Sequence, residues 1–295
     1  MSTDSHPIKK KPGDTYVMDQ ENVAEMARLV DQDRLITESM GGLFPPHLAL
    51  SAIHDVLDIA CGPGGWAIEV ARTYPQMQVS GIDISRLMVA YARMQAVAQE
   101  LSHTSFRVMD ITRRPLRFAD ASFDFVNARL LFSFMRPDKW PPLIRECQRI
   151  LRPGGVLRLT ECELALTDSP AFEAMASLFA QALRKAGQSF SPDGRTVGIT
   201  PKLRNFLRVA DFEDLQHAAY AIDWSYGSKG YEGTVQDFLI GLKLGQPFLV
   251  SIGITTEEAW DRLYEQAMAE MQAPTFCALW FYFSTWGRKP SQEGD

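Results

Sequence analysis

The stretch His54-Asp-Val-Leu-Asp-Ile-Ala-Cys-Gly-Pro-Gly-Gly-Trp-Ala-Ile-Glu-Val-Ala71 limits what this chain can fold into more than any other. An apolar run (Val56, Leu57, Ile59, Ala60) leads into a glycine turn (Gly62, Gly64, Gly65) and then into an amphipathic segment that begins near Trp66. Strand, tight turn and helix in that order form the opening unit of a doubly wound α/β sheet, whose ligands bind beyond the carboxyl ends of the strands. Glycines at such a turn permit positive φ and a close approach of backbone N–H groups to a ligand.

The spacing Gly62-x-Gly64-x-x-Ala67 satisfies the dinucleotide fingerprint, so the glycines alone leave open both a nicotinamide cofactor and S-adenosylmethionine. Asp58, four positions before Gly62, is a carboxylate inside an apolar strand. Its burial is costly unless it is hydrogen-bonded or faces a cation. A pyrophosphate is repelled there, whereas an ammonium beside a sulfonium is attracted; an Asp at this position also suits capping of the turn. The stretch Asp58-x-x-Cys61-Gly62-x-Gly64 resembles the first motif of the class I S-adenosylmethionine-dependent methyltransferases. That resemblance implies a Rossmann-like α/β fold: a doubly wound, mostly parallel seven-stranded sheet with an antiparallel last strand. It also implies S-adenosylmethionine as cofactor and S-adenosylhomocysteine as product.

With 295 residues the chain suits one large domain, or one domain with an added subdomain. The net charge of -6 gives no general pull toward nucleic acid, and the cluster Arg113, Arg114, Arg117 is too short to supply one. No apolar run approaches the roughly 20 residues of a membrane span, and the start MSTDSHPIKKKPGDT lacks the apolar core of a signal peptide. The expectation is a cytoplasmic protein with a small-molecule partner, no nucleic acid and no membrane. Cys61, Cys147, Cys162 and Cys277 show no CxxC spacing, so neither a metal site nor a disulfide framework is expected.

In chain order, residues 1–15 are polar and expected to lack fixed structure. Residues 16–50 read as an N-terminal helical lid whose apolar stripe is Val23, Met26, Ala27 and Val30, with Tyr16 placed to close over a ligand. The core is expected over 51–226 and 272–290. Val79, Gly81 and Ile82 make a second strand ending in Asp83, about 19 residues after Gly64 and suited to ribose hydroxyls. Ile84 and Met88, at the start of the next helix, are placed to touch an adenine. A third strand, SFRVMD, ends in Asp110. Acids at three successive strand ends (Asp58, Asp83, Asp110) form the strongest signal in the sequence. The resemblance implies that Asp110 and Ile111 meet the adenine edge, and that Asn127 and Ala128, at the end of a fourth strand, support the methionine part. The turn residues Ala60, Cys61, Gly62, Pro63, Gly64 and Trp66 complete the expected cofactor set.

The run Arg149-Ile-Leu-Arg-Pro153-Gly154-Gly155 resembles the family's post-helix turn and leads into a fifth strand closed by Glu161 and Glu163. These two acids are the candidates for a general base or for holding a substrate amine, and Arg129 is placed to project into the cleft; hydrogen-bonded structural roles are as common for all three. Phe212 to Trp224 reads as a sixth strand, and the aromatic run Phe276 to Trp286 as the last. Between them, 227–271 reads as a helical insertion, either a substrate cap or a homodimer interface, with Thr255 and Glu258 as a capping box. The expected reaction is in-line methyl transfer to a small, apolar or aromatic acceptor through an oxygen, nitrogen or carbon nucleophile. Two alternatives stand: a protein that binds the cofactor without transferring methyl, as a regulator or cyclase, and an NAD(P)-dependent oxidoreductase.

Overall fold

Alternation of short apolar strands with amphipathic helices builds one twisted sheet covered on both faces. The computed structural model describes residues 17–291, so Tyr16 and the expected tail 1–15 lie outside the described residues. The strands are β1 (Asp55–Ile59), β2 (Gln78–Asp83), β3 (Thr104–Val108), β4 (Phe123–Arg129), β5 (Leu151–Cys162), β6 (Leu166–Thr167), β7 (Glu213–Asp223) and β8 (Ala278–Arg288). The helices are α1 (Val23–Ser39), α2 (Gly65–Thr73), α3 (Arg86–Ala98), α4 (Trp140–Ile150), α5 (Pro170–Lys185), α6 (Leu203–Val209), α7 (Tyr231–Ser251) and α8 (Glu257–Met271).

The sheet runs β3-β2-β1-β4-β5-β8, with β7 on the far edge of β8. The pairs β2–β3, β1–β2, β1–β4 and β4–β5 are parallel, and β8 is antiparallel to both β5 and β7. Strand order therefore reverses between β1 and β4, and a crevice opens beyond their carboxyl ends at that switch point. The seven expected strands are present; the two-residue β6, which pairs with Ala278 and Leu279 at the start of β8, is additional.

Three differences from the sequence reading have local causes. Strand β5 follows α4 without a loop, and Pro153, Gly154 and Gly155 form an irregularity inside it, where the register jumps from Phe123↔Leu151 to Phe125↔Val156. The cap of α8 is Thr256, whose hydroxyl accepts from the Ala259 N–H at 3.2 Å, one residue later than expected. The third concerns the lid. Helix α1 buries Glu25, Arg28, Gln32 and Ile36, not the apolar stripe, and Val23 is 64% exposed. Polar residues at that spacing can face inward because α7 meets them with a carboxylate: Asp237 accepts from Arg28 Nη1 at 2.7 Å and from Gln32 Nε2 at 3.0 Å. Glu25 holds the rest of the Arg28 guanidinium with two bonds of 2.7 Å.

Candidate active site

A cavity of about 290 Å³ lies beyond the carboxyl ends of β1, β2 and β4, roofed by α1, α5 and α7. Of the expected residues, Asp58, Ala60, Cys61, Gly62, Pro63, Asp83, Ile84, Met88, Asp110, Ile111, Arg129 and Glu163 line it.

Asp58 is buried, and its Oδ1 accepts from Asn127 Nδ2 at 2.7 Å. The Asn127 Oδ1 in turn accepts from Arg158 Nε at 2.8 Å, and Arg158 Nη1 donates to the Leu43 carbonyl at 2.8 Å. A guanidinium only donates, so the Asn127 amide must turn its oxygen to Arg158 and its NH₂ to Asp58. Burial pushes the Asp58 carboxyl up to about 7, against the opposing pull of Arg129 and of the Asn127 hydrogen bond. The same desolvation brings Arg158 down to about 9. The Arg158 guanidinium also lies 5.2 Å from the centre of the Trp66 ring.

The turn after β1 carries three positive φ angles, at Ala60 (55°), Gly62 (53°) and Gly64 (84°). An alanine in the left-handed region is strained, and it persists where surrounding structure holds it. One such hold is Asp83: its Oδ2 accepts from the Gly62 N–H at 2.9 Å and its Oδ1 from the Ser85 N–H at 2.8 Å. Two carboxylate oxygens offer about four acceptor positions, so both retain capacity for ribose hydroxyls. Asp110 is arranged similarly, its Oδ1 accepting from the Thr112 N–H at 2.9 Å and Oγ1 at 2.6 Å. Ile84, Met88, Met109 and Ile111 add apolar wall between the two acids.

The structure moves several expected residues away from the cavity. Trp66 is buried in the core on the other face of the sheet, its Nε1 donating to the Leu43 carbonyl at 2.9 Å. Gly64 is a glycine for packing: a Cβ there would stand 2.8 Å from Ala92 Cβ and 3.1 Å from the Phe106 ring. Asn127 and Ala128 are buried within β4, and Asn127 acts through Asp58. Glu161 is buried off the cavity and accepts from the N–H groups of Leu131 (2.7 Å) and Phe132 (3.2 Å), which fix the turn after β4; burial pushes it up to about 8. Glu163 lines the cavity, yet its oxygens accept from the N–H groups of Val197, Gly198 and Thr200 and from the Thr200 hydroxyl, all within 3.2 Å. Neither acid is available as a general base. Arg129 does project into the cleft, where it pairs with Asp33 and donates to Thr37 Oγ1 at 3.0 Å.

Gln20, Arg28, Gln32, Asp33 and Asp237 are charged or amide side chains of the cavity lining that lie outside the expected set. Arg28 and Gln32 leave a trace in the polar repeat 25, 28, 32 along a helix whose apolar residues do not define the buried side. Six carboxylates (Asp33, Asp58, Asp83, Asp110, Glu163, Asp237) against two guanidiniums (Arg28, Arg129) line the cavity, so it favours a cation. Six aromatic side chains also line it, Phe132, Phe134, Phe172, Phe179, Phe238 and Trp280, with Phe238 packed on both Phe172 and Trp280. Among the described residues no group of His, Cys, Asp and Glu is arranged to hold a metal ion.

The fold and this site define a doubly wound α/β protein with a nucleoside-sized, cation-favouring crevice at its switch point. Residues 56–155 match the methyltransferase domain family. The chain is 36% identical over 148 residues to 27-O-demethylrifamycin SV methyltransferase of Amycolatopsis mediterranei, covering 50% of each chain. It is 39% identical over 106 residues to demethylmenaquinone methyltransferase of Deinococcus radiodurans, covering 36% of this chain and 42% of that one. It therefore spans about half the length of the curated relatives it matches. Among solved structures, phosphoethanolamine N-methyltransferase 2 of Haemonchus contortus, in complex with S-adenosylmethionine, shares the fold with a TM-score of 0.53 at 17% identity. That likeness covers 92% of this chain and 57% of that one. The YcgJ protein of Bacillus subtilis aligns with a TM-score of 0.50 at 19% identity, over 82% of this chain and 94% of that one. Residues 56–155 thus carry the likeness to the methyltransferase domain family, within a chain that is similar to named methyltransferases over about half its length.

Proposed function

We propose that the protein moves a methyl group from S-adenosylmethionine to a small, apolar or aromatic acceptor and releases S-adenosylhomocysteine. The carrying observation is the charge of the cavity beside the glycine turn. Asp58 keeps one oxygen, Oδ2, without a hydrogen bond among the described residues, next to a wall rich in acids. An adenosine with a cationic tail fits such a wall, and a dinucleotide pyrophosphate does not, which speaks against the oxidoreductase reading. Asp83 and Asp110 would hold ribose and adenine between the apolar side chains of Ile84, Met88, Met109 and Ile111.

When bound, S-adenosylmethionine supplies a methyl group on a sulfonium, open to in-line displacement. The residues present supply position: the aromatic side chains of the lining would hold an acceptor body under the roof made by α1, α5 and α7. No histidine is among the residues that line the cavity, and Glu163 is fully engaged, so the acceptor must bring an already electron-rich atom. The turnover-pH profile is accordingly expected to follow the acceptor's own pKa. The two relatives named for methylating small molecules support this class of acceptor. No described helix is long and apolar enough to cross a membrane, and four unpaired cysteines fit a reducing compartment such as the cytoplasm.

The test is incubation with methyl-labelled S-adenosylmethionine and a panel of phenols, enols and amines, read by mass spectrometry. Label in an apolar acceptor together with S-adenosylhomocysteine is the expected result. Binding of the donor with no S-adenosylhomocysteine formed from any panel member, or from a metabolite extract, would favour the regulator or cyclase reading.

A further inference from the structure

Helix α1 does more than cover the cavity, because one of its acids reaches the cofactor end. Asp33 Oδ1 pairs with Arg129 at the carboxyl end of β4, and Arg129 Nη1 also donates to Thr37 Oγ1, one helical turn further along α1. Both partners are largely buried, with side-chain exposures of 20% for Asp33 and 11% for Arg129. Asp33 Oδ2 accepts no hydrogen bond among the described residues; it lies over the first residue of α2, where a Cβ added to Gly65 would stand 2.5 Å from it. Asp33 thus presents a second unengaged carboxylate oxygen beside that of Asp58, close enough for its charge to raise the Asp58 pKa. Two carboxylates and one guanidinium line this end of the cavity, with the buried Arg158 behind Asn127 as a second cation, and Asp33 and Asp58 each keep one oxygen that accepts no hydrogen bond among the described residues.

We infer that Asp33 is a cofactor-binding residue carried by the lid: with Asp58 it takes the ammonium of the donor's amino-acid end, while Arg129 takes the carboxylate. This rests on the S-adenosylmethionine reading given above. The pairing explains why a lid helix holds an acid in its half-buried part, where desolvation alone disfavours one.

Titration calorimetry with S-adenosylmethionine and with 5′-methylthioadenosine, which has no amino-acid end, tests the assignment. In the wild-type protein S-adenosylmethionine is expected to bind at least tenfold more tightly. Asp33→Asn should weaken S-adenosylmethionine at least tenfold and change 5′-methylthioadenosine less than twofold. Asp33→Glu, which keeps the carboxylate on the same helix, should retain more S-adenosylmethionine affinity than Asp33→Asn, so that the loss is read as loss of the charge and not of the fold. Equal losses for both ligands would reduce Asp33 to a packing residue and overturn the inference, as would unchanged S-adenosylmethionine affinity in both variants. A wild-type protein that binds neither ligand would instead remove the cofactor reading itself.

Discussion

Truncating the Asn127 amide strands two buried groups at once, because Asp58 Oδ1 and Arg158 Nε both end on it. Leaving buried polar groups unpaired costs roughly 1–3 kcal/mol. Asn127→Ala is therefore expected to lower the unfolding free energy by about 1–3 kcal/mol in urea titrations. Protonation of Asp58 gives a second prediction, with its sign set by the raised value. An acid that titrates at about 7 when folded, against an ordinary 3.8, holds its proton more tightly in the folded state. Its contribution to stability is fully present below the ordinary value and is lost as pH rises toward about 7. Cofactor affinity runs the other way, since a cationic tail needs the ionised carboxylate: binding should strengthen as pH rises through about 7, and Asp58→Asn should flatten both profiles. Strand-end acids such as Asp58, Asp83 and Asp110 were legible because their positions follow from strand and turn alone. The work of Glu161 and Glu163 was not, since the N–H groups they meet belong to Leu131, Phe132 and the 197–200 loop, whose paths no local pattern records.

Among the elements, α1 and α7 are joined by buried charge, and neither reads as a partner of the other in the sequence. A stripe of Val, Met and Ala points to an apolar interface; the observed one is Glu25, Arg28 and Gln32 against Asp237, readable only once both helices are placed. Removing one member of a buried ion pair is strongly destabilising, by about 3–5 kcal/mol. Arg28 keeps Glu25 as a partner, so Asp237→Ala is expected near the low end, about 3 kcal/mol. The loss should appear locally, as faster amide exchange over α1 with β1 to β5 unchanged; uniform acceleration across the sheet would show that α1 does not open separately. The cap of α8 is simpler: Thr256→Ala should cost about 0.5–2 kcal/mol in thermal or urea unfolding, whereas Thr255→Ala should cost little.

For the molecule as a whole, the sequence carries the sheet because each βα unit declares itself locally and right-handed crossovers leave few ways to join parallel strands. The switch point, and with it the crevice, follows from that order. What closes the crevice does not, since α1, α5 and α7 come from distant parts of the chain and meet only over the finished sheet. In the proposed function this crevice holds a positively charged nucleoside against Asp58. The measurement that bears on it most directly is titration calorimetry of the wild-type protein with S-adenosylmethionine and, separately, with NADH, at a pH above 7. One-to-one binding of S-adenosylmethionine and no detectable heat from NADH is expected; saturable binding of NADH with none of S-adenosylmethionine would overturn the assignment of the crevice.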